Sequence, residues 1–376
     1  MAEPFKNLID AAGVRLMRRH LTRAWPGFDG ARFEERARDG LERLELKARA
    51  LHLCDALEAT LPEDFDEAAA VLEASLAPVR DGAELSAMRA GEEGLAGWTV
   101  WPLTEYVARR GLGSPVRALR ALHAMTQRFT AEWAVRPFLV EHPALGFETL
   151  RRWTRDPSPH VRRLVSEGSR PRLPWGLRLR ALVEDPSPTL PLLAALQDDP
   201  SEYVRRSVAN HLNDIAKDHP GLVADWLERH LPGAPPARRA LLRHASRTLV
   251  KRGDRRVLEA WGLGERFAGE AALTLSPRRV AVGGTLSLTL TLRSTAKRAQ
   301  RLAVDYAVHH VKARGGTSAK VFKGWVTELA PGEKRELERR HSMRQVTTRR
   351  YHAGRHALDV RINGRVVAEA SFDLHL

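Results

Sequence analysis

The chain has 376 residues, 43% of them hydrophobic, a formal net charge of +15, a sequence pI near 10.7 and a single cysteine. That length suits about two domains with a sizeable core. Cys54 alone excludes an intramolecular disulfide and a multi-cysteine metal site, and no run of 18 or more apolar residues offers a membrane span.

Residues 5–110 read as helices. The opening mixes charges into a helical pattern (Phe5, Leu8, Ile9, Val14, Leu16) and lacks the apolar core of a signal peptide. Phe33 to Ala59 is expected as one long helical stretch, broken at Pro62; Asp64–Leu76 and Glu84–Met88 continue the pattern. After the glycines of 91–97, Trp98 and Trp101 enter a helix that closes at Gly111, where core packing is their expected use. Ser114 as cap with Pro115 at the first helical position starts the next helix. It leads to a segment holding Glu132, Trp133 and Arg136.

From here the helices shorten, and one phrase recurs. DPSPHVRRLV begins at Asp156 and DPSEYVRRSV at Asp199, an offset of 43 residues. A period of roughly 40–47 is that of HEAT-type helix pairs, which bury their apolar faces only by stacking on neighbours. Each phrase supplies a turn and then a helix whose Val packs inward while paired arginines stay polar. A third turn, at Asp185, lacks the arginine pair. Between the echoes, EGSRPRLPWGLRLRALV interrupts the repeat with a helix stop, two prolines and a tryptophan.

Near Trp261–Gly264 the period changes to two. TLSLTLTL (from Thr285), RLAVDYAV (from Arg301), KVFKGWVTEL (from Lys320) and RHALDVRI (from Arg355) read as strands, and Asn363-Gly364 as a hairpin turn. About seven strands without a helix fit an immunoglobulin-type β-sandwich. The fold class expected is therefore mainly α: a HEAT-like-repeat α-solenoid over 1–265, followed by a small all-β immunoglobulin-like sandwich over 270–376. From Gly269 onward 20 Lys+Arg face 9 Asp+Glu, against 41 and 37 in the first 268 residues. The basic surface thus belongs mainly to the C-terminal part, with a polyanion as its natural partner and DNA contact expected there.

No P-loop, GxGxxG, HExxH or GxSxG occurs. What remains are carboxylates and an aromatic on adjacent short helices: Glu132, Glu167, Asp214 and Trp175, with Arg163 one turn before Glu167. Two readings stand side by side. Carboxylates flanked by arginines form satisfied ion pairs. The same set suits a cationic leaving group, with an aromatic face to attract it and a carboxylate to orient water and stabilise an oxocarbenium-like sugar. Repeat architecture by itself also fits a non-catalytic HEAT-repeat scaffold or DNA-binding protein.

The stretch EGSRPRLPWG with DPSPHVRRLVSEG, and DPSEYVRRSVANHLNDIAKDHP from Asp199, resemble the HEAT-like-repeat DNA alkylation repair glycosylases of the AlkC branch, as does the opening MAEPFKNLI. The resemblance covers essentially the whole chain, since many AlkC proteins carry a C-terminal immunoglobulin-like domain. It implies a monofunctional glycosylase for cationic N3-alkylated bases, 3-methyladenine and 3-methylcytosine, acting on double-stranded DNA with no cofactor or metal. A monomer is the expected state for a clamp on one lesion, and the lack of a targeting signal or apolar span points to a bacterial cytoplasm, at the nucleoid, with no membrane. By the same resemblance Glu167 and Asp214 match the active-site carboxylates and Trp175 the aromatic wall. Glu132 matches a second acidic contact and Arg163 a DNA-facing cation.

Overall fold

The computed structural model describes residues 5–80, 85–346 and 349–376, so the expected helical start at Glu84 lies outside the described residues. Helices come first: α1 (Ala11–Ala24), α2 (Gly30–Arg38), α3 (Leu46–Glu58), α4 (Phe65–Ala74), α5 (Trp101–Arg110), α6 (Pro115–Thr126), α7 (Arg136–Glu141) and α8 (Pro143–Trp153). There follow α9 (Pro159–Gly168), α10 (Arg180–Glu184), α11 (Leu190–Leu196), α12 (Glu202–Asp218), α13 (Pro220–His230), α14 (Pro236–Ala245), α15 (Arg247–Arg252) and α16 (Arg255–Ala260). The single helix expected over 33–59 is two. Gly40 adopts φ +69°, a left-handed conformation that ends α2 and admits a 3-10 turn, Leu41–Arg43, before α3.

The chain divides into two compact units, Met1–Asp218 with Pro236–Leu241, and His219–Pro235 with Leu242–Leu376. Helix gives way to strand near residue 269, but α13, α15 and α16 belong to the same compact unit as the strands.

Within the first unit the two echoes fold alike. Asp156 accepts from the Ser158 amide at 2.8 Å and Asp199 from the Ser201 amide at 2.9 Å; the third turn repeats this with Asp185 and Ser187 at 2.9 Å. Each is an Asx turn that starts a helix or 3-10 segment. Val161 and Val204 are fully buried. The first arginine of each pair folds back on its own turn: Arg162 donates to the Asp156 and Pro157 carbonyls, and Arg205 to those of Asp199 and Pro200. Arg162 also forks onto Asp199, at 2.6 and 3.1 Å, tying the first copy to the second. The second arginines part ways. Arg206 is exposed, whereas Arg163 turns inward.

Among the described residues the second unit contains eight strands: β1 (Gly269–Ser276), β2 (Arg279–Ala281), β3 (Thr285–Ser294), β4 (Gln300–Val311), β5 (Thr317–Leu329), β6 (Lys334–Ser342), β7 (Gly354–Ile362) and β8 (Arg365–His375). They form one sheet in the order β1-β3-β6 and another in the order β2-β8-β7-β4-β5. Strict alternation on β3 sends Leu286, Leu288, Leu290 and Leu292 into a core shared with Val304, Tyr306, Val308, Leu358, Val360 and Phe372. The β7–β8 hairpin turns on Asn363 (φ +49°) and Gly364 (φ +77°), the two positive values of a type I′ turn. Gly364 is required twice over, because a Cβ there would stand 2.4 Å from the Gly253 Cα.

Candidate active site

Helix α9 ends at Gly168, so its last turn carries Glu167 inward, and the packed face of α12 presents Ser207, His211 and Asp214 at helical spacing. Glu167 is 5% exposed and Asp214 1%. Between them lies Arg170, just past the end of α9. Its Nη1 donates to Glu167 Oε1 at 2.5 Å and its Nε to Asp214 Oδ2 at 2.8 Å. Ser207 Oγ donates to Glu167 Oε2 at 2.5 Å, and Lys217 Nζ holds Asp214 Oδ1 at 2.7 Å. The two carboxylates are thus joined through one guanidinium.

Glu132 precedes α7, and its Oε2 accepts from Thr130 Oγ1 at 2.7 Å and from Arg163 Nη1 at 2.8 Å. Arg163 also approaches Glu167 to 3.8 Å and lies 5.0 Å from the Tyr203 ring centroid. Its guanidinium therefore faces carboxylates and an aromatic ring. Burial would lower the basicity of Arg163, but Glu132 and Glu167 outweigh it and raise it above the ordinary arginine value. The same balance governs Glu167. Burial would raise its carboxyl, yet Arg163, Arg170 and the Ser207 hydroxyl hold it below the usual range, so it is an anion at neutral pH. His211 is the opposite case: burial pushes it down to about 4, and the neutral ring faces the Ser166 carbonyl with Nδ1 at 2.9 Å, which requires the proton on that nitrogen.

Trp175 reaches this region along another route. It sits in the loop after Arg170, 55% exposed, with φ +63°. Arg136, fully buried at the start of α7, ties the two parts together: Nη1 donates to the Gly168 carbonyl at 2.7 Å and Nε to the Leu177 carbonyl at 2.6 Å. Burial, helped by Arg170, lowers Arg136 to about 10, which leaves it charged at neutral pH. Behind Trp175 stand Trp133, with centroids 6.3 Å apart and planes at 30°, and the buried Trp101, at 6.3 Å and 6°. Trp101 and Trp133 stack at 4.4 Å. Trp98 packs on Phe129 at 4.9 Å, placing the first tryptophan pair in this aromatic column.

Comparison with known proteins gives this arrangement a family. Residues 127–249 match the model of the DNA alkylation repair enzyme, and residues 270–376 that of the YhaZ C-terminal Ig-like domain. The uncharacterized protein YhaZ of Bacillus subtilis (strain 168) is 38% identical over 361 residues, covering 94% of this chain and 95% of its own. The structure of the Pseudomonas fluorescens alkylpurine DNA glycosylase AlkC, bound to DNA containing an abasic site analog, superposes with a TM-score of 0.90 at 34% identity, over 100% of both chains. The chain belongs to the AlkC branch of the DNA alkylation repair glycosylases.

Within this AlkC chain, Glu132, Arg163, Glu167 and Asp214 share one ion-pair network, Arg163 between Glu132 and Glu167 and Arg170 between Glu167 and Asp214, and Trp175 borders it through Arg136. Sequence reasoning missed Arg170, Ser207 and Lys217. Lys217 was findable, one turn after Asp214 on the same helix. Arg170 and Ser207 carried no comparable signal, because one lies beyond a helix end and the other reaches across from the neighbouring helix.

Proposed function

We propose that this AlkC protein is a monofunctional DNA glycosylase that releases cationic N3-alkylated bases, 3-methyladenine and 3-methylcytosine, from duplex DNA. The observation that carries this reading is the pair of buried carboxylates bridged by Arg170, in the unit whose loop also presents the half-exposed ring of Trp175. The likeness to an alkylpurine glycosylase bound to abasic-site DNA supports it, and the stacked Asx-turn copies suit a HEAT-like solenoid that grips DNA by its backbone.

The chemistry follows from charge. A cationic base leaves as a neutral molecule when the N-glycosidic bond breaks and its electron pair stays with the base, so the protein need not protonate it. The deoxyribose becomes oxocarbenium-like. Glu167, kept anionic by its partners, stabilises that charge and takes the proton as water adds to C1′, with Asp214 as electrostatic support. The products are the free base and an abasic site. Trp175 offers its face to the cation, an attraction of about 0.5–2 kcal/mol according to desolvation. Glu132 serves as a second acidic contact, and Arg163, held between Glu132 and Glu167, as the cation on the DNA side. The enzyme acts as a monomer at the bacterial nucleoid.

Glu167→Gln tests the assignment, since it keeps the shape and removes the charge. Free 3-methyladenine and 3-methylcytosine released from methylated duplex DNA are followed by mass spectrometry, with DNA binding measured in parallel. The expected loss of rate is at least about 10²-fold with binding held within a few-fold. Unchanged release by the variant would remove Glu167 from the chemistry.

A further inference from the structure

Trp175 holds a backbone conformation that a bulky side chain rarely adopts, φ +63°, while more than half of the residue faces solvent. Its ring contacts alone do not fix the main chain. Three donors from outside the loop do so, each on a backbone carbonyl at or within two residues of the strained residue. Trp133 Nε1 donates to Pro174 O at 3.1 Å, Lys47 Nζ to Trp175 O at 2.7 Å and Arg136 Nε to Leu177 O at 2.6 Å. They come from three places in the sequence: Lys47 from α3, Trp133 from the turn before α7, and Arg136 from its first residue. Trp133 acts twice, because its ring is also stacked with that of Trp175.

We propose that Lys47, Trp133 and Arg136 are positioning residues for base release, a three-point strap that holds Trp175 in its strained conformation and so presents a preset aromatic wall. This rests on the reading of Trp175 as the wall against the lesion base. Without the strap the loop relaxes toward negative φ and the ring swings off the aromatic column, so the wall must be rebuilt in each turnover. Arg136 has the further duty of tying the loop to the end of α9, the helix that carries Glu167, so wall and carboxylate are held in one frame.

Two variants avoid the buried core. Lys47 is exposed, so Lys47→Met removes one hydrogen bond at the surface; Trp133→Phe keeps an aromatic ring in the column, though a smaller one, and removes the donor to Pro174. Opening of the loop is read by chymotryptic cleavage at Trp175–Gly176 under native conditions, with the fragment identified by mass. Release of 3-methyladenine is read under single-turnover conditions. Each variant is expected to raise cleavage about fivefold, the ratio corresponding to one net hydrogen bond, and to slow release by a similar factor, with the melting temperature unchanged. In a Trp175→Ala background the same changes should leave release unaffected, since they act through that ring.

Cleavage and release both at wild-type values in the two variants would overturn the strap. So would rate losses that multiply with that of Trp175→Ala. If Trp175→Ala itself released base at the wild-type rate while the strap variants still opened the loop, the holding contacts would stand and the failure would fall on Trp175 as the wall.

Discussion

Arg170 carries the connection between the two central carboxylates, and removing it should be costly in a specific way. Arg170→Met leaves Glu167 and Asp214 buried without their shared cation. Two unit charges about 4 Å apart interact by about 4 kcal/mol at an effective dielectric near 20, and truncating one partner of a buried pair costs about 3–5 kcal/mol. The loss is not twice that, because Lys217 still meets Asp214 at 2.7 Å and Arg163 stands 3.8 Å from Glu167. A fall of about 3–5 kcal/mol is therefore expected in chemical denaturation followed by far-ultraviolet circular dichroism. Neutralising the carboxylate left without a close cation, in Arg170→Met with Glu167→Gln, should recover at least about 1 kcal/mol of it. Activity should change with pH as well. In the wild type the depressed Glu167 carboxyl contributes stability that is full above its unfolded value and lost as pH falls through its folded one. Without Arg170 burial gains the upper hand, the carboxyl rises, and the acid limb of base release moves toward neutral. A variant within about 1 kcal/mol of wild type, or a double variant less stable than Arg170→Met, would refute the bridging role.

Three further outcomes can be checked. Arg163→Ala should cost at least about 3 kcal/mol because it strands Glu132, whereas Arg206→Ala, at the equivalent position of the second copy, should stay within about 0.5 kcal/mol; paired denaturation curves decide it. In the strand-bearing unit, burial holds His310 down to about 3, His341 to about 4 and His356 below its ordinary value. These rings titrate near 6.5 when unfolded, so acidification below that point protonates the unfolded chain first and the unit loses stability. A melting temperature constant from about pH 7.5 to 5 would contradict this. Gly364→Ala places a Cβ 2.4 Å from the Gly253 Cα in a left-handed turn and should destabilise by about 1–3 kcal/mol, read by the same denaturation assay.

Much of this was legible in the residues. The Asp-Pro-Ser echoes located α9 and α12 because an Asx turn is a local event, set by three consecutive side chains. Val161 and Val204 pointed inward as the pattern required. The break at Gly40 was hidden because apolar spacing continues across it; only the glycine hinted at a left-handed residue. β6 escaped because its outward positions are charged apart from Ser342 and its inward side offers Leu337 as its one aliphatic group. β2 escaped because three residues paired in parallel with β8 leave no periodic trace. At the site, the carboxylates could be picked from the sequence through the AlkC resemblance. Of their partners, Arg163 and Lys217 show in the helical spacing, whereas Arg170 and Ser207 do not, since their meeting with these acids is decided by the end of α9 and its packing on α12.

The two copies of the Asp-Pro-Ser phrase also bear on how such a chain can change. The stacking rule occupies the valine and the first arginine of each copy, which are engaged in core and turn. It leaves the second arginine unassigned. One copy has drafted that residue into a buried network, while the other leaves it facing water. A repeat array is in this sense a row of equivalent sockets, and of the two here one is filled and one is empty. Residue 206 is such a socket, open to new chemistry without disturbing the fold beneath it.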